Sequence, residues 1–305
     1  MRNDVHGPTV RWHAGRVNNG VVFGATYHLV THLPRAVSGG IGYVSTGLAY
    51  WLMREGTRAI VENLRAVRPS ASEHELHRLA LLTYRSYGRD TIDFIRSLSM
   101  TAAELAPMMA HVDGRWFDAL LAEKRGVIVV NGHFGNWELG GVALRLLKGL
   151  PITVVGRPEP SRIVGEFRRR MRDSLGIETI EIGRALDTAL QIRRVLSANG
   201  AVAMLLDRHL GRDRVDVTFF GRRVGFLRTP AMIASLSGAP ILPSFMIRQD
   251  DGRFRAVCGE PIRVDTRGSL DEGIEAATQA FASQLEERVR MFPHLWYQFY
   301  PYFSP

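Results

Sequence analysis

Residues 126–141 read "GVIVVNGHFGNWELGG". The apolar run Val127–Val130 is bounded by glycine before it and by Asn131 and Gly132 after it. A short uninterrupted apolar run of this kind predicts a strand buried on both faces. Asn136 then stands where a helix cap is needed, with Trp137 and Glu138 opening the next helix. Strand, polar turn and helix in sixteen residues is the opening unit of a parallel α/β sheet.

The same alternation continues downstream. "ITVVG" (152–156), "IETIEI" (177–182) and "AVAMLLD" (201–207) are apolar runs separated by helical patterns, and "TALQIRRVLSAN" is expected to stop at a C′ glycine, Gly200. "VDVTFFGRRVGFL" predicts a hairpin or irregular loop turning at Gly221. Thr229 and Pro230 supply an N-cap and an N1 proline for a helix ending near Gly238. "PILPSFMIR" and "RFRAVCG" flank the turn "QDDG", so the sheet is expected to finish with an antiparallel pair. A long helix over about 270–291 precedes the aromatic tail "FPHLWYQFYPYF".

Upstream, "TRAIVENLRAVR" is amphipathic. "SEHELHRLALLTYRSYGRDTIDFI" opens with Ser72 and Glu75 at capping-box spacing, and a further helix is expected over 113–124. The fold class is therefore α/β, with a mixed, largely parallel central sheet flanked by helices and a helical N-terminal cap. Residues 57–305 are expected to form one α/β domain and residues 1–56 a membrane-interfacial segment. Within it, residues 21–53 are apolar-rich, but His28, His32, Pro34 and Arg35 interrupt them before about 18 clean residues accumulate. Helices lying in a membrane interface or packed on the domain fit this pattern, with a single tilted span as the alternative. The N-terminus lacks the pattern of a signal peptide.

The 305 residues are 46% hydrophobic and 23% charged, an ordinary globular balance. The formal net charge of +9 favours anionic partners: nucleic acid, lipid headgroups, phosphorylated substrates or acidic carrier proteins. One cysteine, Cys258, excludes an internal disulfide, and in a strand pattern it reads as core rather than nucleophile. His28 and His32 lie one helical turn apart without a third ligand, so no metal site is expected. No Gly-x-Ser-x-Gly elbow, phosphate loop or nucleic-acid reader motif occurs.

Sites in open α/β sheets form outside the carboxyl ends of strands. Three such ends carry polar groups: "NGHFGNWE", "VVGRPEP" and "LLDRHLGR". A neutral imidazole at His133 can take a proton from an alcohol, provided a carboxylate fixes its tautomer. Glu138 can fold back from the first helical turn to do this, or can merely complement its own helix dipole. Asp207, at another strand end, is the second candidate, and the spacing leaves the choice open. Arg157, held extended before Pro158, suits phosphate or carboxylate, with a structural ion pair as the plain alternative. Arg208, Arg212, Arg214, Arg222, Arg223 and Arg228 form a second basic cluster, several of them simply solvated. "RRRMR" (168–172) reads as one exposed helix face.

These segments, in this order, resemble the bacterial lipid A biosynthesis acyltransferase family, which includes lauroyl and myristoyl acyltransferases and phosphatidylinositol mannoside acyltransferases. "GVIVVNGHFGNWELGGVAL", "ITVVGRPEP", "LLDRHLGRDRVDVTFFG", "RTPAMIASLSGAPILPSF" and "PHLWYQF" carry the likeness, which covers about residues 55–300. The resemblance implies a lysophospholipid acyltransferase-like fold and transfer of a fatty acyl chain onto a glycolipid or related lipid hydroxyl. It implies His133 as general base and Glu138 in the acidic position of an H-x-x-x-x-D/E motif, with Asp207 a second acid able to complete the relay. Arg157 and Arg208 match positions that bind phosphate or polarise the thioester, and Asn136 or nearby amides are candidates for stabilising the oxyanion. Arg228 is grouped with the substrate-binding arginines. The implied donor is an acyl carrier protein or coenzyme A thioester, with no cofactor and no nucleic-acid partner. The implied place is the cytoplasmic face of the inner membrane, held peripherally or by the N-terminus. The chain differs from family members in its broken N-terminal apolar segment and in a tail lacking basic residues after the tryptophan.

Overall fold

The structure is a computed structural model that describes residues 20–159, 162–183, 185–209 and 211–303. The signal-peptide reading falls largely on residues 1–19, outside the described residues.

Four helices come first: α1 (Gly20–His32), α2 (Arg35–Leu52), α3 (Arg54–Val67) and α4 (Glu73–Ser97). After the short α5 (Ala102–Leu105) and β1 (Met109–Val112), the chain alternates through α6 (Arg115–Ala122), β2 (Val127–Asn131), α7 (Trp137–Lys148), β3 (Ile152–Gly156), α8 (Arg162–Ser174), β4 (Glu178–Glu181), α9 (Ala185–Ser197) and β5 (Ala201–Leu205). A two-stranded ribbon, β6 (Val215–Phe219) with β7 (Arg222–Phe226), leads to α10 (Thr229–Ser237), β8 (Ile241–Arg248), β9 (Phe254–Cys258) and α11 (Leu270–Met291).

Seven strands form one sheet in the order β1-β9-β8-β2-β5-β3-β4. All neighbouring pairs are parallel except β8–β9, the antiparallel pair that the sequence placed around "QDDG". The edge strand β1, "MAHV", carries no periodic signal and was not expected. Every residue of β2 is buried. Ile128, Val130, Val202 and Met204 pack toward α9, α10 and α11, whereas Val127, Val129 and Ile152 pack toward α4, α6 and α7. Each such side chain, fully buried, stabilises by about 1.5–3 kcal/mol, which is why these runs read as continuously apolar.

Caps and turns follow local chemistry. Ser72 accepts from the Glu75 amide at 3.3 Å, as its spacing predicts. Phe220 and Gly221, with φ of 52° and 70°, make the two-residue turn between β6 and β7. Two details differ from expectation. The left-handed residue after α9 is Asn199 (φ 59°), and Gly200 is small because a Cβ there would lie 2.9 Å from Val195 Cγ1. Thr229 is the first residue of α10 rather than its cap, and its hydroxyl donates instead to Asp213.

Residues 20–52 form two helices broken at Leu33–Pro34. Among the described residues, no helix is long and apolar enough to cross a membrane. α2 packs on α4 through Gly42 and Gly88: a Cβ on Gly42 would meet Ile92 Cδ1 at 2.3 Å, and one on Gly88 would meet Thr46 Cγ2 at 2.4 Å. The other side of α2 carries Val37, Ile41, Val44, Leu48, Trp51 and Leu52, all exposed. Their spacing of three to four residues puts them on one helical face.

Candidate active site

β2 and β5 are adjacent and parallel, with Asn131 paired to Leu205. His133 and Asp207 each lie two residues beyond that pair, so strand register alone brings them level. Gly132 permits the approach, because a Cβ there would lie 2.7 Å from Leu285 Cδ2 and 3.1 Å from Asp207 Oδ2. Gly135 (φ 62°) turns the loop into α7 so tightly that a Cβ would sit 2.1 Å from the Met246 carbonyl oxygen. The loop is pinned by the C-terminal tail: the Tyr297 amide donates to His133 O at 2.7 Å and the Gly135 amide donates to Leu295 O at 2.9 Å.

His133 Nδ1 lies 2.7 Å from Asp207 Oδ1, and the His133 amide donates to Asp207 Oδ2 at 2.9 Å. Asp207 is 0% exposed. Its Oδ2 also accepts from Gln298 Nε2 at 2.6 Å and Trp296 Nε1 at 3.1 Å. Burial by itself would raise this carboxyl. Attraction and hydrogen bonding from His133, with the charge of Arg208, outweigh it and hold Asp207 below the usual carboxylate range. A buried carboxylate bound to Nδ1 keeps the proton on that nitrogen, so Nε2 is left with a lone pair. Burial first, then the Arg208 charge, push the imidazole below its ordinary pKa, with Asp207 opposing them. The ring is therefore neutral near pH 7 and 19% of its side chain stays accessible. That is a proton acceptor.

Glu138 is placed elsewhere. Arg172 Nη2 donates to both its oxygens at 2.8 Å, and Arg168 Nη2 lies 3.9 Å away, so the acid tethers α8 to the start of α7. Burial raises the Glu138 carboxyl, but the two guanidinium charges override it and the net direction is down. Three of the five residues of "RRRMR" are exposed or face other partners, while Arg168 and Arg172 turn inward. Asn136 does cap α7, accepting from the Leu139 amide at 3.1 Å, and its Nδ2 donates to Asp90 O at 2.9 Å. Its side chain is thus committed within the protein. Arg157 is exposed at the end of β3 and makes no ion pair among the described residues. Arg208 donates to Gln298 Oε1 at 3.0 Å and Tyr297 O at 2.8 Å, so it braces the tail beside Asp207. Arg228 pairs with Asp271 and lines a second, outlying pocket with Arg212 and Arg214. The structure brings together His133, Asp207 and Arg208, with Arg157 at the same sheet edge, and leaves Arg228 apart.

His133 opens onto a cavity of about 390 Å³ between α7 and the sheet. Its apolar walls include Phe94, Phe117, Val129, Val154, Ala203 and Met246, and its charged lining combines Arg157, Arg168 and Arg172 with Glu138, Glu159 and Glu181. Val154 and Ala203 lie mid-strand in a sheet covered on both faces, yet both keep partial exposure. They face this cavity. A largely apolar space with a few charged groups in its lining suits a molecule with a long hydrocarbon tail.

The sequence reading missed Trp296, Tyr297, Gln298 and Tyr302. Trp296, Tyr297 and Gln298 are buried, and the half-buried Tyr302 donates to Asp207 O at 2.7 Å. The one signal was its density of aromatics with polar tips, which seek partners when buried. Among the described residues, no group of three or more His, Cys, Asp or Glu is placed to hold a metal. Burial pushes the Cys258 thiol up to about 12, so it is no nucleophile.

Residues 21–304 match the family model described as bacterial lipid A biosynthesis acyltransferase. The chain is 26% identical over 283 residues to a phosphatidylinositol mannoside acyltransferase of Mycolicibacterium smegmatis, covering 92% of this chain and 89% of that protein. It is 27% identical over 259 residues to a phosphatidylinositol mannoside acyltransferase of Mycobacterium tuberculosis H37Rv, covering 84% and 80% respectively. With a match across nearly its whole length, the chain belongs to the bacterial lipid A biosynthesis acyltransferase family.

Proposed function

We propose that this chain moves a fatty acyl group from an acyl thioester to a hydroxyl of a glycolipid, an acceptor of the phosphatidylinositol mannoside type. One observation carries the reading: a neutral histidine, oriented by a fully buried aspartate, at the mouth of an apolar cavity. His133 Nε2 removes the hydroxyl proton as the oxygen attacks the thioester carbonyl. The tetrahedral intermediate collapses with loss of the thiolate, which takes that proton back from the imidazolium. Asp207 holds the tautomer and stabilises the imidazolium through Nδ1, while Glu138 works at a distance, as the anchor of α8. Arg157, exposed at the rim, binds a phosphate of donor or acceptor. The net charge of +9 suits both an acidic acyl carrier protein and coenzyme A, the two donors considered.

The lipid acceptor resides in a bilayer, and the exposed face of α2 is the surface that meets it. Six large apolar side chains on one helical face exceed what a solvated helix carries. We place the enzyme peripherally, on the cytoplasmic side where acyl thioesters are made.

The test is transfer of labelled C12–C18 chains from coenzyme A and carrier-protein thioesters to a glycolipid extract. His133→Ala and Asp207→Asn are expected to lose roughly 10²–10⁴-fold in kcat. Glu138→Gln, which keeps the imidazole and its partner, is expected to lose less than about tenfold. Equal loss in Glu138→Gln and Asp207→Asn would overturn the relay assignment. Lipid binding without transfer by the wild type would favour a non-catalytic lipid-binding role.

A further inference from the structure

Two glycines lie side by side within α7, Gly140 and Gly141, where glycine is a poor helix residue. Neither has a positive φ, and neither is demanded by packing. A Cβ on Gly140 would make ordinary contact with Met246 Cβ at 3.8 Å, and one on Gly141 would meet nothing within 4 Å. Gly42 and Gly88 are different, since helix contact forbids a side chain at both. The space at Gly141 is the cavity onto which His133 opens, for Gly141 lines it together with Trp137 and Leu144. Residues 137, 141 and 144 share one helical face. The Trp137 ring centroid is 5.4 Å from that of His133, and Gly141 lies about 6 Å farther along the helix at 1.5 Å per residue.

We propose that Gly141 sets how much acyl chain the cavity admits, and so the chain-length preference of the enzyme. The proposal rests on the acyl-transfer reading. A hydrocarbon chain entering past His133 and Trp137 runs along this face of α7, and the bare backbone at position 141 leaves room for it to continue. Helical side chains tilt toward the N-terminal turn. A leucine at this position would therefore project back toward Trp137 and fill the passage.

The experiment measures binding of saturated C8–C18 fatty acids by tryptophan fluorescence, and transfer of the same chains from their thioesters, for wild type, Gly141→Leu and Gly141→Ala. Comparing wild type with variant separates this cavity from the apolar face of α2. Each methylene excluded should weaken binding about fourfold. Gly141→Leu is expected to lose at least about tenfold in affinity and in kcat/KM for C16 relative to C10. Gly141→Ala adds one methyl to open space and should fold as well as wild type, with a loss of about fourfold for C16. It keeps the test decisive if the leucine variant does not fold. An unchanged C16-to-C10 ratio in the folded variants overturns the proposal, and so does a wild-type affinity that ignores chain length. A shifted binding ratio with transfer that persists in His133→Ala would leave the proposal standing and remove the base assignment beneath it.

Discussion

His133 is kept neutral by where it sits. Its charged form is disfavoured by burial and by Arg208, and Asp207 only partly compensates. In the proposed mechanism the base must be neutral to work, so activity is expected to disappear as pH falls through the pKa of this ring. Because that pKa is lowered, the acid limb of kcat/KM should fall below about 6.5, the ordinary imidazole value. Arg208→Gln removes one of the lowering causes and should move the limb upward. A wild-type limb at or above 6.5 would contradict this electrostatic account. The strand-end histidine and both acids were visible in the sequence, but the choice between the acids was not. Glu138 is five residues from His133 and looks like its partner. The deciding facts are the order β2-β5 and the in-register pair Asn131–Leu205, which bring a residue 74 positions away onto Nδ1. Arg172, likewise remote in sequence, takes both oxygens of Glu138.

Elements with strong periodicity were legible, and those decided by their neighbours were not. β2, β3 and β5 show as apolar runs because both their faces are covered. β1 is a four-residue edge strand whose side chains are half-solvated, so it carries no pattern. The tail after α11 is aromatic whether it meets a membrane or a core, and only its partners, Asp207 above all, show that it is core. For α2 the two settings separate cleanly: Ser38, Gly42 and Tyr50 are buried, while Val44 and Trp51 on the far side are each 70% exposed. Val44→Asp with Trp51→Ser should leave the melting temperature within about 3 °C of wild type, since both side chains are largely exposed and Trp51 gives up an edge-on contact with Tyr50. The same pair should weaken co-sedimentation with anionic phospholipid vesicles at least tenfold, because burying each apolar side chain in the bilayer contributes about 1.5–3 kcal/mol. Unchanged sedimentation would show that α2 does not face the lipid.

A buried charge network ties these parts into one body. Arg248 at the end of β8 donates to Asp90 Oδ1 at 2.6 Å and Asp93 Oδ2 at 2.7 Å, both on α4. Arg35 on α2 donates to Asp93 at 2.9 Å and to the Gly252 carbonyl at 2.9 Å, joining the apolar helix to the β8–β9 turn. The Tyr297 hydroxyl donates to Asp90 Oδ2 at 2.7 Å, and the Tyr297 amide holds His133. α2 and α4 are thus connected to the His133 loop through Asp90, Asp93, Arg248 and Tyr297, all nearly removed from water, and through Arg35, whose side chain is 37% exposed. Arg248→Met would leave Asp90 without its directly paired cation, with the charge of Arg89 nearby, and Asp93 with its ion pair to Arg35, and breaking a buried pair in this way costs about 3–5 kcal/mol. Urea unfolding should register that loss. Adding Asp90→Asn to Arg248→Met should recover part of it, because the carboxylate left unpaired is then gone. The double-mutant coupling between the two positions should exceed about 1 kcal/mol, as expected for groups in direct contact. A loss below about 1 kcal/mol in Arg248→Met, or strict additivity with Asp90→Asn, would mean that water or rearrangement satisfies these charges. In that case the coupling of α2 and α4 to the His133 loop would have to run through packing at Gly42 and Gly88 instead.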